Sequence, residues 1–267
     1  MVYKQTTETL KYSYRTLLTL ADEVWGHSFL LRCIPFDCPF QQPKEGRTAV
    51  IPYCETTVSK DAFGNMIMTG YISGHHDAFM FESSGEIEIG EHITVEPLNG
   101  LYLFPTQLTS ASPEMIALSE KVKSSTTSPR EWVIALSDIL QENLSYTPGA
   151  TNVQTTASEA FAQHEGVCQD FAHIAIALCR RAGIAARYVN GFMLGEGATH
   201  AWIEYFDHGV WRAFDPTNNR EVDCTYIKIA QGRDFDDCST NRGRFCGNTI
   251  QNTRVSLSVK KIRNIDY

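Results

Sequence analysis

One stretch limits the folds open to this chain more than any other: HEGVCQDFAHIAIALCRRAG, His164 to Gly183. From Phe171 onward the apolar side chains Ile174, Ala175, Leu178 and Ala182 recur at the spacing of one helix face, and Gly183 closes the run. A helix this apolar has to be covered by other elements. Cys168 opens it just after Gly166 and Val167, whereas Cys179 is embedded within it. The free N–H groups and dipole at a helix start favour thiolate over a thiol whose ordinary pKa is about 8.5. Cys168 is therefore expected to be reactive and Cys179 to act as a small apolar residue.

The segments on either side differ in character. Up to residue 95 the pattern is strand-like: Ile87 and Ile89 alternate with Glu86 and Glu88, Ile93 and Val95 follow the break at Gly90, and DAFGNMIMTGYISG (61–74) reads as a turn at Phe63-Gly64-Asn65 entering a strand. Residues 96–112 lose the alternation and carry Pro97, Gly100 and Pro105, as a connector would. Beyond it, Ser128-Pro129-Arg130-Glu131 supplies an N-cap, a proline at the first helical position and a capping-box glutamate, and Trp132, Leu136, Ile139, Leu140 and Asn143 follow as a helical stripe. Thr156-Ala157-Ser158-Glu159 repeats the capping box, with Gly166 as the expected stop of that short helix. Strand-like segments follow at 186–193, 199–206, 210–215 and 253–259. No internal repeat or low-complexity tract is visible. The expected division is a β-rich region over 1–95, a connector over 96–112 and a third region over 113–267.

A nucleophilic thiol needs a base, and the base needs a group to hold its ring. In GATHAWIEYFDHGVWRAFDPTNN (197–219), alternation places His200, Trp202, Glu204 and Phe206 on one strand face, and Asp207-His208-Gly209 forms the turn. A hairpin symmetric about residues 207 and 208 sets His200 directly across from Asp215, with Cβ atoms about 4.5–5.5 Å apart. A three-residue loop or a bulge at Gly209 would shift that register by one. Pro216 ends the strand and leaves Asp215 at an edge, where one side of its carboxylate is expected to stay hydrated. Cys168 as attacking thiol, His200 as proton carrier and Asp215 as ring orienter make one constellation. The Cys168 N–H and a second donor, not identifiable from the sequence, would hold the oxyanion.

Composition excludes some alternatives. With 43% hydrophobic and 20% charged residues in 267 the chain can bury a core, and a net charge of −8 without a basic run gives no support to a nucleic-acid partner. The opening MVYKQTTETLKYSYRTL lacks a secretory pattern, and no run of about 18 apolar residues occurs, so a cytoplasmic protein without a membrane partner is expected. The eight cysteines are accordingly expected to be free thiols. Cys33, Cys38, Cys54 and His75-His76 allow a metal site to be imagined, but their spacing argues for core thiols and surface imidazoles, and no motif requires a cofactor. His164 and His173 read as capping or helix-surface residues, Asp170 as a complement to the helix dipole, and Gln169 as a site residue or a solvated one. Cys224, Cys238 and Cys246 carry no metal-ligand spacing.

GVCQDFAHIAIALCRRAGIAARYVNGF, THAWIEYFDHGVWRAFDPTNN and IAQGRDFDDC together resemble the successive motifs of the bacterial transglutaminase-like superfamily, and DAFGN with its following strand resembles the β domain that accompanies such enzymes. The resemblance implies an α+β fold with a papain-like core of helices packed on an antiparallel sheet, behind a β-rich N-terminal domain, so that 113–267 would be the catalytic domain. It also implies a Cys-His-Asp triad at Cys168, His200 and Asp215, without calcium or another cofactor. The leading expectation is a cysteine peptidase or amidase that hydrolyses peptide or isopeptide amides of a peptide or protein substrate through a thioester. Amine transfer or glutamine deamidation, as in a transglutaminase, is the alternative, and a peptide-binding module without turnover is a third. Oligomeric state is not legible.

Overall fold

The computed structural model describes residues 7–123 and 126–262; the first six residues, part of the opening stretch read above, lie outside these. The chain starts with β1 (Glu8–Leu31), β2 (Gln41–Ile51), β3 (Thr56–Lys60), β4 (Met66–Ile72), β5 (His76–Ile89) and the short β6 (Ile93–Thr94). Between β6 and α1 (Pro113–Lys123) the one regular element is a 3-10 turn at Gly100–Leu103. There follow α2 (Pro129–Asn143), β7 (Ser145–Tyr146), α3 (Ala157–Gln163), β8 (Glu165–Gly166) and α4 (Cys168–Arg181). The last part holds β9 (Ala186–Met193), β10 (Gly195–Gly197), β11 (His200–Asp207), β12 (Val210–Asp215), β13 (Arg220–Glu221), β14 (Tyr226–Gly232), α5 (Phe235–Cys238), β15 (Asn241–Cys246) and β16 (Gln251–Lys261).

β1 organises the first sheet. Its burial alternates with period two from Leu10 to Leu20, so one face is core and the other carries Lys11 and Arg15. It pairs with β5 and β16 along that length and, after a bulge between Thr19 and Val24, with β4 and β15. The strands at 241–261, expected with the third region, thus close onto the first sheet. β16 also pairs with β10, whose Gly195–Gly197 backbone leads to His200. Sequence pattern could not show the pairing with β1, because it is decided by contacts between residues more than 200 positions apart, as Leu10 and Lys261 are.

The second sheet has the order β13-β12-β11-β9-β14 and is antiparallel throughout. α4 packs on it: Ile174, Ala175 and Leu178 share a core with Ala186, Tyr188, Ala201, Ile203 and Tyr205. The one-face reading of this helix was too narrow, since every residue from Gln169 to Arg180 is buried between the sheet and the other helices. Near the end of β9, Phe192, with Ile227 and Ile229 of β14, joins the core of the first sheet, where the Phe192 ring lies 5.0 Å from Tyr14. The architecture is α+β, with a β-rich N-terminal region beside helices packed on an antiparallel sheet. Among the described residues no helix is long and apolar enough to cross a membrane.

Local signals account for the helix starts. The Ser128 hydroxyl accepts from Glu131 N–H, and Thr156 with Glu159 forms a reciprocal capping box. α3 stops at His164, in the left-handed region at φ 57°, rather than at Gly166. Gly166 serves another purpose: a Cβ there would lie 2.7 Å from the Cβ of Asp170.

On the face of the second sheet turned away from α4 sits a buried ion cluster. Glu204 of β11 accepts from Arg187 Nε at 2.6 Å and from Lys228 Nζ at 2.7 and 2.8 Å. Burial alone would raise this carboxyl, but the two cations hold it down at about 2. The Gln41 side chain docks on Lys228 like a strand backbone, donating to its carbonyl and accepting from its N–H, both at 2.8 Å. Gly191 faces His200 in the ladder of β9 and β11, and a Cβ there would meet the Ile227 carbonyl at 2.1 Å and the Trp202 ring at 2.4 Å. Gly191→Ala is therefore expected to destabilise the protein by about 1–3 kcal/mol through overpacking, read as a lower midpoint in chemical denaturation.

Candidate active site

The hairpin that carries His200 and Asp215 turns later than expected. His208 and Gly209 both have positive φ, 47° and 92°, which makes a two-residue turn whose twist matches the flanking strands. Asp207 consequently pairs with Val210 and Ile203 with Phe214, a register shifted by two from the symmetric one. Because the shift is even, His200 and Asp215 keep the same face. His200 reaches Asp215 diagonally rather than directly across. Its Nε2 lies 2.7 Å from Asp215 Oδ2.

Asp215 is fully buried, not hydrated at an edge. In place of water, its oxygens take five donors: His200 Nε2, Thr217 N–H, Asn218 N–H, Asn218 Nδ2 and the Tyr226 hydroxyl. Burial pushes the carboxyl up, yet these partners, His200 foremost, hold it below its ordinary value. Thr217 and Asn218 come from the turn that Pro216 starts, a local signature of Asp followed by a turn. Tyr226 comes from β14, and only the fold brings it here. Arg220 Nε donates to the Tyr226 hydroxyl at 3.0 Å, which leaves that hydroxyl's proton for Asp215.

His200 is nearly covered, with 12% of its side chain exposed. Burial lowers its pKa, but hydrogen bonds to Asp215 and to Cys168, and the charge of both, raise it to about 10. The structure thus brings Cys168, His200 and Asp215 together: one imidazole hydrogen-bonds the carboxylate at the end of β12 and has its basicity raised by the sulfur at the head of α4. Cys179, by contrast, is fully buried and its thiol is pushed up to about 12.

The other candidates divide. Gln169 is buried and donates to the Val153 carbonyl at 3.3 Å. His173 is not a surface residue: it is fully buried, lowered to about 3 by burial and by Arg180, and accepts from Phe235 N–H at 3.1 Å. His164 is the C-cap of α3, as a capping role required. Asp170 lies inside, bonded to Val167 N–H and to the Thr151 hydroxyl. All eight cysteines are free. Cys33, Cys38, Cys54 and His75-His76 do not converge; His76 hydrogen-bonds His27 at 3.1 Å while His75 stacks on Trp25, and among the described residues no three His, Cys, Asp or Glu group as metal ligands. Tyr146 is not singled out in the sequence. It is on β7, which runs parallel to β8 just ahead of Cys168, and its hydroxyl is raised by burial and by the charge of Cys168.

The chain is similar to known proteins in sequence and in fold. Residues 116–216 match the transglutaminase-like superfamily and residues 10–88 the bacterial transglutaminase-like N-terminal region. This chain carries a transglutaminase-like core. An uncharacterized protein of Mycobacterium leprae is 32% identical over 170 residues, 60% of this chain and 60% of that one, so the chain spans less than two thirds of that relative. One of Mycobacterium tuberculosis is 27% identical over 301 residues, 95% of this chain and 90% of that one. The crystal structure of a candidate cysteine protease from Cytophaga hutchinsonii superposes with a TM-score of 0.83 at 23% identity, over 98% of this chain and 93% of that one, and establishes the shared fold.

The raised His200 value has a measurable consequence. Its contribution to stability is fully present below the unfolded value of 6.5 and is lost as pH rises through about 10. The stability gap between the wild type and His200→Gln, which keeps a donor but no charge, is expected to be widest near pH 6 and to shrink steadily toward pH 10. A gap that grows with pH in urea titrations would contradict the ion pair.

Proposed function

We propose that this protein is a thiol-dependent acyl-transfer enzyme, a cysteine peptidase or amidase acting on peptide or isopeptide amides. The observation that carries the reading is a single ring: the His200 imidazole hydrogen-bonds the buried Asp215 and has its basicity raised by the Cys168 sulfur at a helix start. In the reading, the Cys168 thiolate attacks the amide carbonyl carbon. His200 delivers its proton to the amide nitrogen as the C–N bond breaks, and the amine leaves. Water then adds to the thioester while His200 takes its proton, the C–S bond breaks, and acid and thiolate are released. Asp215 holds the ring and, being below its ordinary pKa, remains a carboxylate throughout.

The tetrahedral intermediate needs donors for its oxygen. The N–H of Cys168 belongs to the unpaired set at the start of α4. The Tyr146 hydroxyl, which feels the charge of Cys168, is proposed as the second. Both lie on the side of the molecule where β7 and β8 meet the head of the helix.

Iodoacetamide at pH 6–7 with peptide mapping is expected to modify Cys168 ahead of the exposed Cys246, and His200→Ala to abolish that preference. Selective modification of Cys246 instead would end the reading. Incubation with peptide mixtures and a labelled amine separates the acceptors: new peptide termini mean hydrolysis, whereas incorporated amine or released ammonia means transfer or deamidation. Binding without any product, with an inert Cys168, would make the fold a recognition module. In the hydrolytic assay Tyr146→Phe is expected to lower kcat about 100-fold with little change in KM, the signature of a donor used in the transition state.

A further inference from the structure

Two residues beyond the nucleophile, Asp170 is a carboxyl that the reaction outlined above leaves without a role. It is 1% exposed. A carboxylate in the first turn that merely answered the helix dipole would sit at the surface, as Glu131 and Glu159 do on α2 and α3. Asp170 is inside, where burial raises its pKa, and its Oδ1 has no hydrogen-bond partner. An unpartnered buried oxygen costs stability that alanine would not forfeit. The charge is therefore poorly explained by folding alone.

Its other oxygen does explain the position. Asp170 Oδ2 accepts from the Val167 N–H at 2.8 Å and from the Thr151 hydroxyl at 2.6 Å. Val167, the N-cap of α4, has no side-chain acceptor to fix the helix start, so Asp170 supplies the returning half of a capping box alone. Thr151 belongs to the segment that begins with β7. That segment is stitched to the approach of α4 at three more points: Ser145 N–H to His164 O at 2.9 Å, Thr147 N–H to Gly166 O at 2.9 Å, and Gln169 Nε2 to Val153 O at 3.3 Å. Gly166 leaves the space the carboxyl fills, since a Cβ there would come within 2.8 Å of Asp170 Oδ2.

We propose that Asp170 is a positioning residue for catalysis, a clamp whose Oδ2 ties the Thr151 hydroxyl and the Val167 N–H together and so fixes the Tyr146 segment against the backbone N–H of Cys168. The inference rests on the acyl-transfer reading of Cys168. Its content is geometric rather than electrostatic. Both donors proposed for the developing oxyanion are attached to parts that Asp170 joins, so loosening the clamp spoils the alignment of the two donors while leaving the contact of Cys168 with His200 in place.

p-Nitrophenyl acetate is a suitable probe, because its acetyl group passes to the thiol with release of p-nitrophenolate and is then hydrolysed, and no physiological substrate is needed. Asp170→Ala and Thr151→Val are expected to lower kcat about 30- to 100-fold, as a displacement of about 1 Å at a reacting centre does. Alkylation of Cys168 by iodoacetamide, which develops no oxyanion, should change less than about threefold in the same proteins. Asp170→Asn keeps an oxygen for both donors and is expected to restore kcat to within about threefold of the wild type. Gly166→Ala, which displaces the carboxyl from the other side, should reproduce Asp170→Ala. Thermal melts establish which variants are folded, and Thr151→Val carries the test if Asp170→Ala is not. Equal loss in Asp170→Asn and Asp170→Ala would mean that charge is what matters and overturn the clamp, as would equal loss of turnover and alkylation. Turnover that survives both Asp170→Ala and Thr151→Val overturns the clamp alone. Turnover unaffected by Cys168→Ala overturns the acyl-transfer reading and the clamp with it.

Discussion

A carboxylate with no exposure has to be satisfied by protein, and the Asp215 oxygens are the place where this structure meets that demand most fully. Five donors converge on them from three elements: the turn after β12, β14 through Tyr226, and β11 through His200. Those contacts leave the imidazole one orientation. Its Nε2 is committed to Asp215, and the ring's remaining nitrogen is the one available to Cys168. The raised basicity of His200 follows from the same arrangement, because two acceptors stabilise the protonated ring against the burial that opposes it.

The rest of the molecule keeps these parts in register. β11 is the central strand, paired on one side with β9 and on the other with β12, and its two faces serve different cores. Ala201, Ile203 and Tyr205 pack under α4, which sets the height of Cys168 over the sheet. Trp202 and Glu204 lie on the other face, where Gly191 makes room for the indole and Arg187 and Lys228 neutralise the carboxylate. The first sheet is joined to this arrangement through Phe192, Gln41 and the pairing of β16 with β10 just ahead of His200. The N-terminal region therefore supports the site rather than hanging beside it.

Much of this was legible in residues 164–219. Helix periodicity located α4, the Gly-Val-Cys entry singled out Cys168, and strand alternation put His200 on the face that Asp215 shares. The turn lies one residue later than expected and the register is shifted by two, yet the face survived because side chains in a strand alternate with period two. His164 replaced Gly166 as the stop of α3 because Gly166 was needed beside Asp170, a requirement that arises from packing and leaves no mark in local propensity.

Sequence alone determined which chemistry the chain can offer: a thiol at a helix start, an imidazole and a carboxylate on one strand face, and a core large enough to hold them. Those properties depend on neighbours within a few positions, so periodicity and turn residues encode them. Tertiary structure alone decided that Asp215 is dry, that Tyr226 reaches Asp215, that Asp170 turns inward, and that 241–261 complete the first sheet. Each of these depends on segments distant in the chain and on which polar groups lose their water, and burial of that kind is settled only when the whole chain has packed.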